Sequence, residues 1–386
     1  MNSTKRITAL AFMIFLFNGV ICMLPGVVVI AVAKSFHVET HVIGYIYTLF
    51  VLGNAAAVQL NGKLLDKVDI RWELIGASVV TLFSVAMMTV TESLVLFAVM
   101  MLFFGLANGL YISAASYFIV SLYEDKNRSA KMSLLHFFFS AGAIVSPLSA
   151  GLLLERGVSW QTIYLYALSL LILLLIIIWI TPVQVRQQEG QKAAPSKERW
   201  EWTIYAVAMS LFCYLIAEGS FLFWAPTYFV EYLHTDAAKA GSLLSLFWLF
   251  MAVGRGLSGI VLKKIAVETY ILACSFFAFT ASMVVLYSAN FFLLIIAISG
   301  MGLGFSGLYA AILSYGTQQR PYPSARLMSM IMTAGYIGGM TASPFSSFLK
   351  QQLDLKASLT IAESFMALVF ALIGVTALSI HRRKRG

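Results

Sequence analysis

Long apolar runs broken by short polar segments set the pattern of this chain. Six are read at 7–33, 42–60, 74–91, 94–122, 132–154 and 160–180, and after a longer polar stretch six more follow at 203–228, 238–262, 270–287, 291–315, 327–349 and 359–380. At about 1.5 Å per residue, a helix of about 20 apolar residues crosses a hydrocarbon core about 30 Å thick. The pattern predicts an all-α integral membrane protein with twelve transmembrane helices. The polar stretch is rich in Gln and charge and reads as a flexible linker. The predicted organisation is a six-helix half over 1–181, a cytoplasmic linker over 182–201 and a second six-helix half over 202–386.

An internal repeat supports two related, pseudo-symmetric halves. Gly109-Leu110-Tyr111 with Ser116-Tyr117 recurs as Gly307-Leu308-Tyr309 with Ser314-Tyr315. Ser129-Ala130-Lys131 matches Ser324-Ala325-Arg326, Ala141-Gly142 matches Ala334-Gly335, and Ser146-Pro147 matches Ser343-Pro344. Such repeats place a site near the bilayer midplane, where the halves meet.

Composition narrows the class further. The chain is 60% hydrophobic and 11% charged, which no soluble domain could tolerate on its surface. The net charge of +9 therefore has to be sorted by side of the membrane before it suggests any partner, and no soluble domain exists to bind nucleic acid. Of the 26 Lys and Arg residues, Lys34, Arg156, Lys239, Lys350 and Lys356 fall on one side and Arg255 lies within a span. The remaining 20 share the side of both termini, which the positive-inside rule makes cytoplasmic. Lys5 and Arg6 precede an apolar run ending in Ala31-Val32-Ala33, but that run is too long for a signal-peptide core of about 7 to 15 residues. Cys22, Cys213 and Cys274 all lie in apolar runs and suggest no disulfide framework.

Within the seventh run stands one carboxylate, Glu218, about 21 Å along the helix from Ile204. An ionisable residue at that depth usually marks an ion or solute pathway. The plain alternative is a structural ion pair with Arg255 of the eighth run, each charge lowering the cost of burying the other. His136 is a second titratable candidate near the cytoplasmic end of the fifth run. Asn18 and Asn108 could bind hydroxyl groups or simply join helices, and Tyr111, Trp224, Trp248 and Tyr309 offer amphipathic surfaces that suit a pocket or packing. The serines lack a base and acid partner, the five histidines lack metal spacing, and no P-loop exists, so neither an enzyme nor a cofactor is expected.

The loop after the second run adds a resemblance. Gly62, Leu64, Asp66, Lys67 and Arg71 fit the motif G-x-L-x-D-[RK]-x-G-[RK]-[RK] of the major facilitator superfamily, while Asp69 and Ile70 depart from it. The likeness implies that Gly62, Asp66, Lys67 and Arg71 latch a cytoplasmic gate; the bland reading is a tight charged turn. The fifth run, from Ser133 and His136 through Gly142 to Ser146-Pro147, is similar to a pattern of the fucose:proton symporter branch, with Ser133 in place of Asn. With Tyr214-Leu215-Ile216-Ala217-Glu218 and Gly254-Arg255, the whole chain resembles that branch, including its TsgA-type relatives. Gly26 and Ile112 stand where the symporter has the acids it uses for coupling, which leaves Glu218 as first candidate for carrying protons, with His136 and Arg255 beside it.

The expectation is a secondary active transporter of the bacterial cytoplasmic (inner) membrane. It would move a small polar solute, a sugar or sugar-like molecule, by alternating access, with protons the first candidate for coupling and uniport or another ion the alternative, and work as a monomer among membrane lipids. Asn18, Asn108, Tyr111, Glu218, Trp224, Trp248 and Tyr309 would contact the solute. An efflux carrier for a small organic molecule and a non-transporting receptor are the alternatives.

Overall fold

The computed structural model describes residues 3–65, 68–123, 125–181, 200–288, 290–319 and 325–385. Thirteen helices account for the regular structure of these residues: α1 (Ser3–Ser35), α2 (Thr40–Leu65), α3 (Ile70–Val90), α4 (Leu94–Leu122), α5 (Asp125–Glu155), α6 (Trp160–Ile180), α7 (Trp202–Glu231), α8 (Ala237–Val261), α9 (Val267–Tyr287), α10 (Phe291–Phe305), α11 (Leu308–Gln318), α12 (Ala325–Gln352) and α13 (Leu355–Arg385). Eleven segments are long and apolar enough to cross a membrane, with α10 and α11 together forming the segment Phe291–Gln318. The twelfth span is α12, whose 28 residues are more than long enough but are diluted by Ser, Thr and Gly. Most helices outrun the apolar stretch that predicts them, α1 beginning at Ser3 and α13 reaching Arg385. Hydropathy marks only the part in hydrocarbon, and the helical hydrogen bonds continue beyond it. Of the predicted linker, residues 182–199 lie outside the described residues.

Short polar residues start several helices. Asp69 accepts from the Arg71 N–H at 2.8 Å, and Asn290 from the N–H groups of Phe292 and Leu293 at 2.9 and 3.1 Å. Each satisfies donors that the first turn leaves free. Asp236 does the same for α8 through the Lys239 N–H at 2.7 Å, and the Lys239 side chain pairs with it at 2.8 Å. The Lys239 side chain first, and its N–H second, hold the Asp236 carboxyl below the usual carboxylate range.

The described chain divides into two compact units, 1–189 with 234–245 and 190–233 with 246–386, so the first nine of the 25 residues of α8 belong to the first unit. In the first unit α1 lies along α5 and α2 along α4; in the second, α7 lies along α12 and α13. The same close approaches recur. A Cβ on Gly105 would strike the backbone of Phe50, and one on Gly302 the backbone of Phe247. A Cβ on Gly142 would meet the Leu16 carbonyl, and one on Gly338 the Phe212 carbonyl. Both residues of each contact are displaced by one common interval, so the repeat exists in the packing as well as in the letters. Here the sequence pairing of Gly142 with Gly335 is corrected: the equivalent contact is made by Gly338, about one turn on. Small residues three or four apart share a helix face, which lets such a match slip by a turn.

One predicted span is not a single helix. The run 291–315 is interrupted at Ser306 and Gly307, where the Ser306 N–H reaches back only three residues, to Leu303 at 3.3 Å. The Ser306 hydroxyl competes for the same carbonyl at 2.7 Å. Its counterpart α4 is continuous through Gly109. Leu165, Ile172, Ile176 and Trp179 of α6 are exposed, an apolar face suited to lipid.

Candidate functional site

In the second unit the seventh span delivers the carboxylate that the sequence singles out. Tyr214 and Glu218 are one turn apart on α7, and the Tyr214 hydroxyl donates to Glu218 Oε1 at 2.7 Å. Glu218 is partly accessible, whereas Tyr214 is buried. Arg255 and Tyr309 lie close enough for their charge or hydroxyl to act on this pair. Arg255 also sits 5.7 Å from the centre of the Trp248 ring. The structure thus gathers Tyr214, Glu218, Arg255, Trp248 and Tyr309 from α7, α8 and α11.

The Glu218 carboxyl has a hydrogen-bond donor besides the expected cation. Glu218 is hydrogen-bonded by Tyr214 and its carboxyl feels the Arg255 charge, while Lys239–Asp236 and Lys350–Glu231 form ion pairs elsewhere. The same Tyr214 hydroxyl lies 3.2 Å from the carbonyl oxygen of Phe305. That carbonyl ends α10, and the last carbonyls of a helix accept from groups outside it. A phenol has one proton and two acceptors here. While Glu218 is ionised, the charge-assisted bond takes that proton. When Glu218 takes up a proton of its own, the acid can donate to the phenol oxygen and the phenol can turn to Phe305. Glu218 is connected in this way to the interruption at Ser306 and Gly307.

Trp224 is farther along α7 and fully buried. Its indole N–H donates to the Ser346 hydroxyl at 3.0 Å, and Lys350 lies 4.8 Å above its ring. This residue joins α7 to α12 near the end marked by the Lys350–Glu231 ion pair, at 3.1 Å.

The first unit holds the other candidates. Cys22 bridges the two asparagines: its thiol donates to Asn18 Oδ1 at 3.2 Å, and Asn108 Nδ2 donates to its sulfur at 3.5 Å. Asn18 is buried and its Nδ2 has no partner, so both N–H donors of its amide remain unspent. Tyr111 is fully buried and donates to the Ser78 hydroxyl of α3 at 2.9 Å. His136 on α5 is exposed, with its ring 5.6 Å from Phe15 edge to face. Among the proposed gating residues, Gly62 lies in the last turn of α2, Asp66 and Lys67 lie outside the described residues, and Arg71 is held within its own unit. Its guanidinium donates to the Trp179 carbonyl oxygen at 2.7 Å and lies 5.3 Å from that ring.

Two buried acids went unnoticed in the sequence. Glu73 opens α3 and is only 4% exposed; with the Asn61 amide turned to face it, that nitrogen donates to both carboxylate oxygens, at 2.9 and 3.1 Å. Glu363 on α13 is fully buried. Its signal was available, because it is the one acid inside the last apolar run.

A sequence profile described as Major Facilitator Superfamily matches residues 9–343. Among curated proteins, a TsgA homolog from Yersinia pseudotuberculosis serotype O:1b (strain IP 31758) is 22% identical over 377 residues, covering 96% of this chain and 95% of that protein. Three solved structures share the fold. A bacterial homolog of the human lysosomal transporter Spinster has a TM-score of 0.80 at 10% identity, covering 99% of this chain and 98% of its own. A D-xylose-proton symporter has 0.74 at 12%, covering 95% and 97%. The transporter FucP in its outward conformation has 0.64 at 16%, covering 97% and 99%. With twelve spans in two repeated sets and a profile match over most of its length, the chain belongs to the Major Facilitator Superfamily.

Proposed function

We propose that this protein is a secondary active transporter that moves a small polar solute, a sugar or sugar-like molecule, by alternating access, and that Glu218 carries the coupling proton. The observation that carries this reading is the position of Glu218: a carboxylate deep in a span, on a residue that is not wholly buried, hydrogen-bonded by Tyr214 at 2.7 Å and within electrostatic reach of Arg255. An acid that alternates between a phenol, a cation and water can change protonation with conformation, which is what proton coupling requires. A proton moving down 100 mV releases about 2.3 kcal/mol, enough to bias accumulation more than tenfold. The unspent Nδ2 of Asn18, with Asn108 beside it, supplies a donor for a hydroxylated solute in the first unit, and Trp248 and Tyr309 supply ring faces in the second. The D-xylose-proton symporter of the same fold makes sugars the first substrates to try.

The same proposal covers the halves at 1–181 and 202–386 joined by 182–201, with both termini in the cytoplasm and the protein working as a monomer in a bacterial inner membrane. The test is uptake of radiolabelled pentoses, hexoses and nucleosides into proteoliposomes under an imposed pH gradient. Glu218→Gln should abolish gradient-driven accumulation while sparing solute exchange. Accumulation by Glu218→Gln with unchanged pH dependence would overturn the role of Glu218, and binding without counterflow would point to a receptor.

A further inference from the structure

Glu363 has no part in the function proposed above. Its side chain is fully buried on α13, and neither carboxylate oxygen has a hydrogen-bond partner. Three helices, α7, α9 and α12, pack along α13. From α9, Ser282 faces the carboxyl, but its hydroxyl donates to the Phe279 carbonyl oxygen at 2.8 Å. The titratable groups of α9 flank that level: Tyr287 is held at Thr360, and Cys274 is about 12 Å along the helix from Ser282. From α12, no ionisable residue lies between Tyr336 and Lys350, and Lys350 pairs with Glu231 near the helix end. From α7, the titratable group whose charge reaches Glu363 is Glu218.

The two acids also lie at one depth. Ser346 is a common marker, since its hydroxyl accepts from Trp224 of α7 and its carbonyl oxygen accepts from Ser358 of α13 at 2.7 Å. Measured from that level away from the Lys350–Glu231 end, Glu363 is about 7.5 Å along α13 and Glu218 about 9 Å along α7. A buried carboxylate with no cation, and with only a serine hydroxyl beside it that is already bonded to a backbone carbonyl, has little to replace the water it gave up, and such a group takes a proton instead.

We infer that Glu363 is a second proton-binding site of this protein, level with Glu218 and filled while the second unit is packed as in this structure. The place of Glu363 in a transport cycle rests on the proton-coupled reading above; its protonation does not.

The experiment is chemical and needs no substrate. Dicyclohexylcarbodiimide adds to a protonated carboxyl: the acid proton moves to a carbodiimide nitrogen, a carboxyl oxygen bonds the central carbon, and the adduct rearranges to a stable N-acylurea with nothing lost. Peptide mass spectrometry of the treated full-length protein in lipid nanodiscs should find that adduct on Glu363, in the wild type and in Glu218→Gln alike. Infrared spectra should show a carboxylic-acid carbonyl band that Glu363→Gln removes, which decides the matter even if the reagent cannot enter. An unchanged band in folded Glu363→Gln, with no adduct on Glu363, would overturn the inference. Failure of Glu218→Gln to alter accumulation would overturn the proposed coupling and leave both readouts on Glu363 intact.

Discussion

At the scale of single residues, the Tyr214 hydroxyl is the most informative group. It is 2.7 Å from Glu218 Oε1 and 3.2 Å from the Phe305 carbonyl oxygen, with the Phe305 ring 5.8 Å from its own. Tyr214→Phe keeps the ring contact and removes only the oxygen. A hydrogen bond to a charged group contributes about 1.5 to 3 kcal/mol, so the variant should unfold at lower temperature than the parent in a fluorescence melt. It should also accumulate several-fold less solute under a pH gradient while exchanging solute at the parental rate. Parental accumulation by a folded Tyr214→Phe protein would show that this hydroxyl does not serve Glu218. The carboxylate itself was legible in the sequence because it interrupts an apolar run. Tyr214 stands four residues before it on the same helix, within the reach of side chains one turn apart, but that the same hydroxyl also meets a helix-end carbonyl of another helix is decided only by packing.

At the scale of elements, the glycines at helix crossings fix how closely neighbours approach. Gly302 admits the backbone of Phe247 in the second unit as Gly105 admits that of Phe50 in the first. A methyl group at Gly302 must push α8 and α10 apart, and overpacking of this kind costs about 1 to 3 kcal/mol. Gly76 lies on an exposed part of α3, and a methyl group there would meet nothing within 4 Å. Gly302→Ala should therefore lower the melting temperature of the purified protein, whereas Gly76→Ala should leave it unchanged or raise it, with a helix-propensity gain of up to about 1 kcal/mol. Equal shifts for the two would refute the close-packing argument. The tenth span carries the complementary lesson. Its apolar run gives no warning of a break, because hydropathy counts side chains while the interruption lies in the backbone at Ser306 and Gly307.

At the scale of the whole molecule, the distribution of Lys and Arg makes a prediction about orientation. With Cys22, Cys213 and Cys274 replaced by alanine, a cysteine at Lys34 should react with a membrane-impermeant maleimide added to intact cells. A cysteine at Lys263 should react only after permeabilisation. The reverse pattern would invert the proposed topology. The reasoning is that cytoplasmic loops retain an excess of cations during insertion, and the excess falls on the side shared by Lys5, Arg6 and the basic residues after Ile380.

The sequence by itself determined the membrane class, the spans and their doubling, because each depends on quantities that accumulate along the chain: apolar length, charge between runs and recurring small residues. It also exposed Glu218, since one charge in hydrocarbon needs no partner to be conspicuous. Tertiary structure alone decided that Gly338 is the counterpart of Gly142, that Arg71 binds the end of α6, that the Tyr214 hydroxyl also meets the Phe305 carbonyl, and that Glu363 is buried with no cation beside it among the described residues. These facts depend on which helix lies beside which and at what rotation. Residues far apart in the chain become neighbours only when ridges and grooves are packed, and hydrophobic periodicity carries no record of the partner that will fill them.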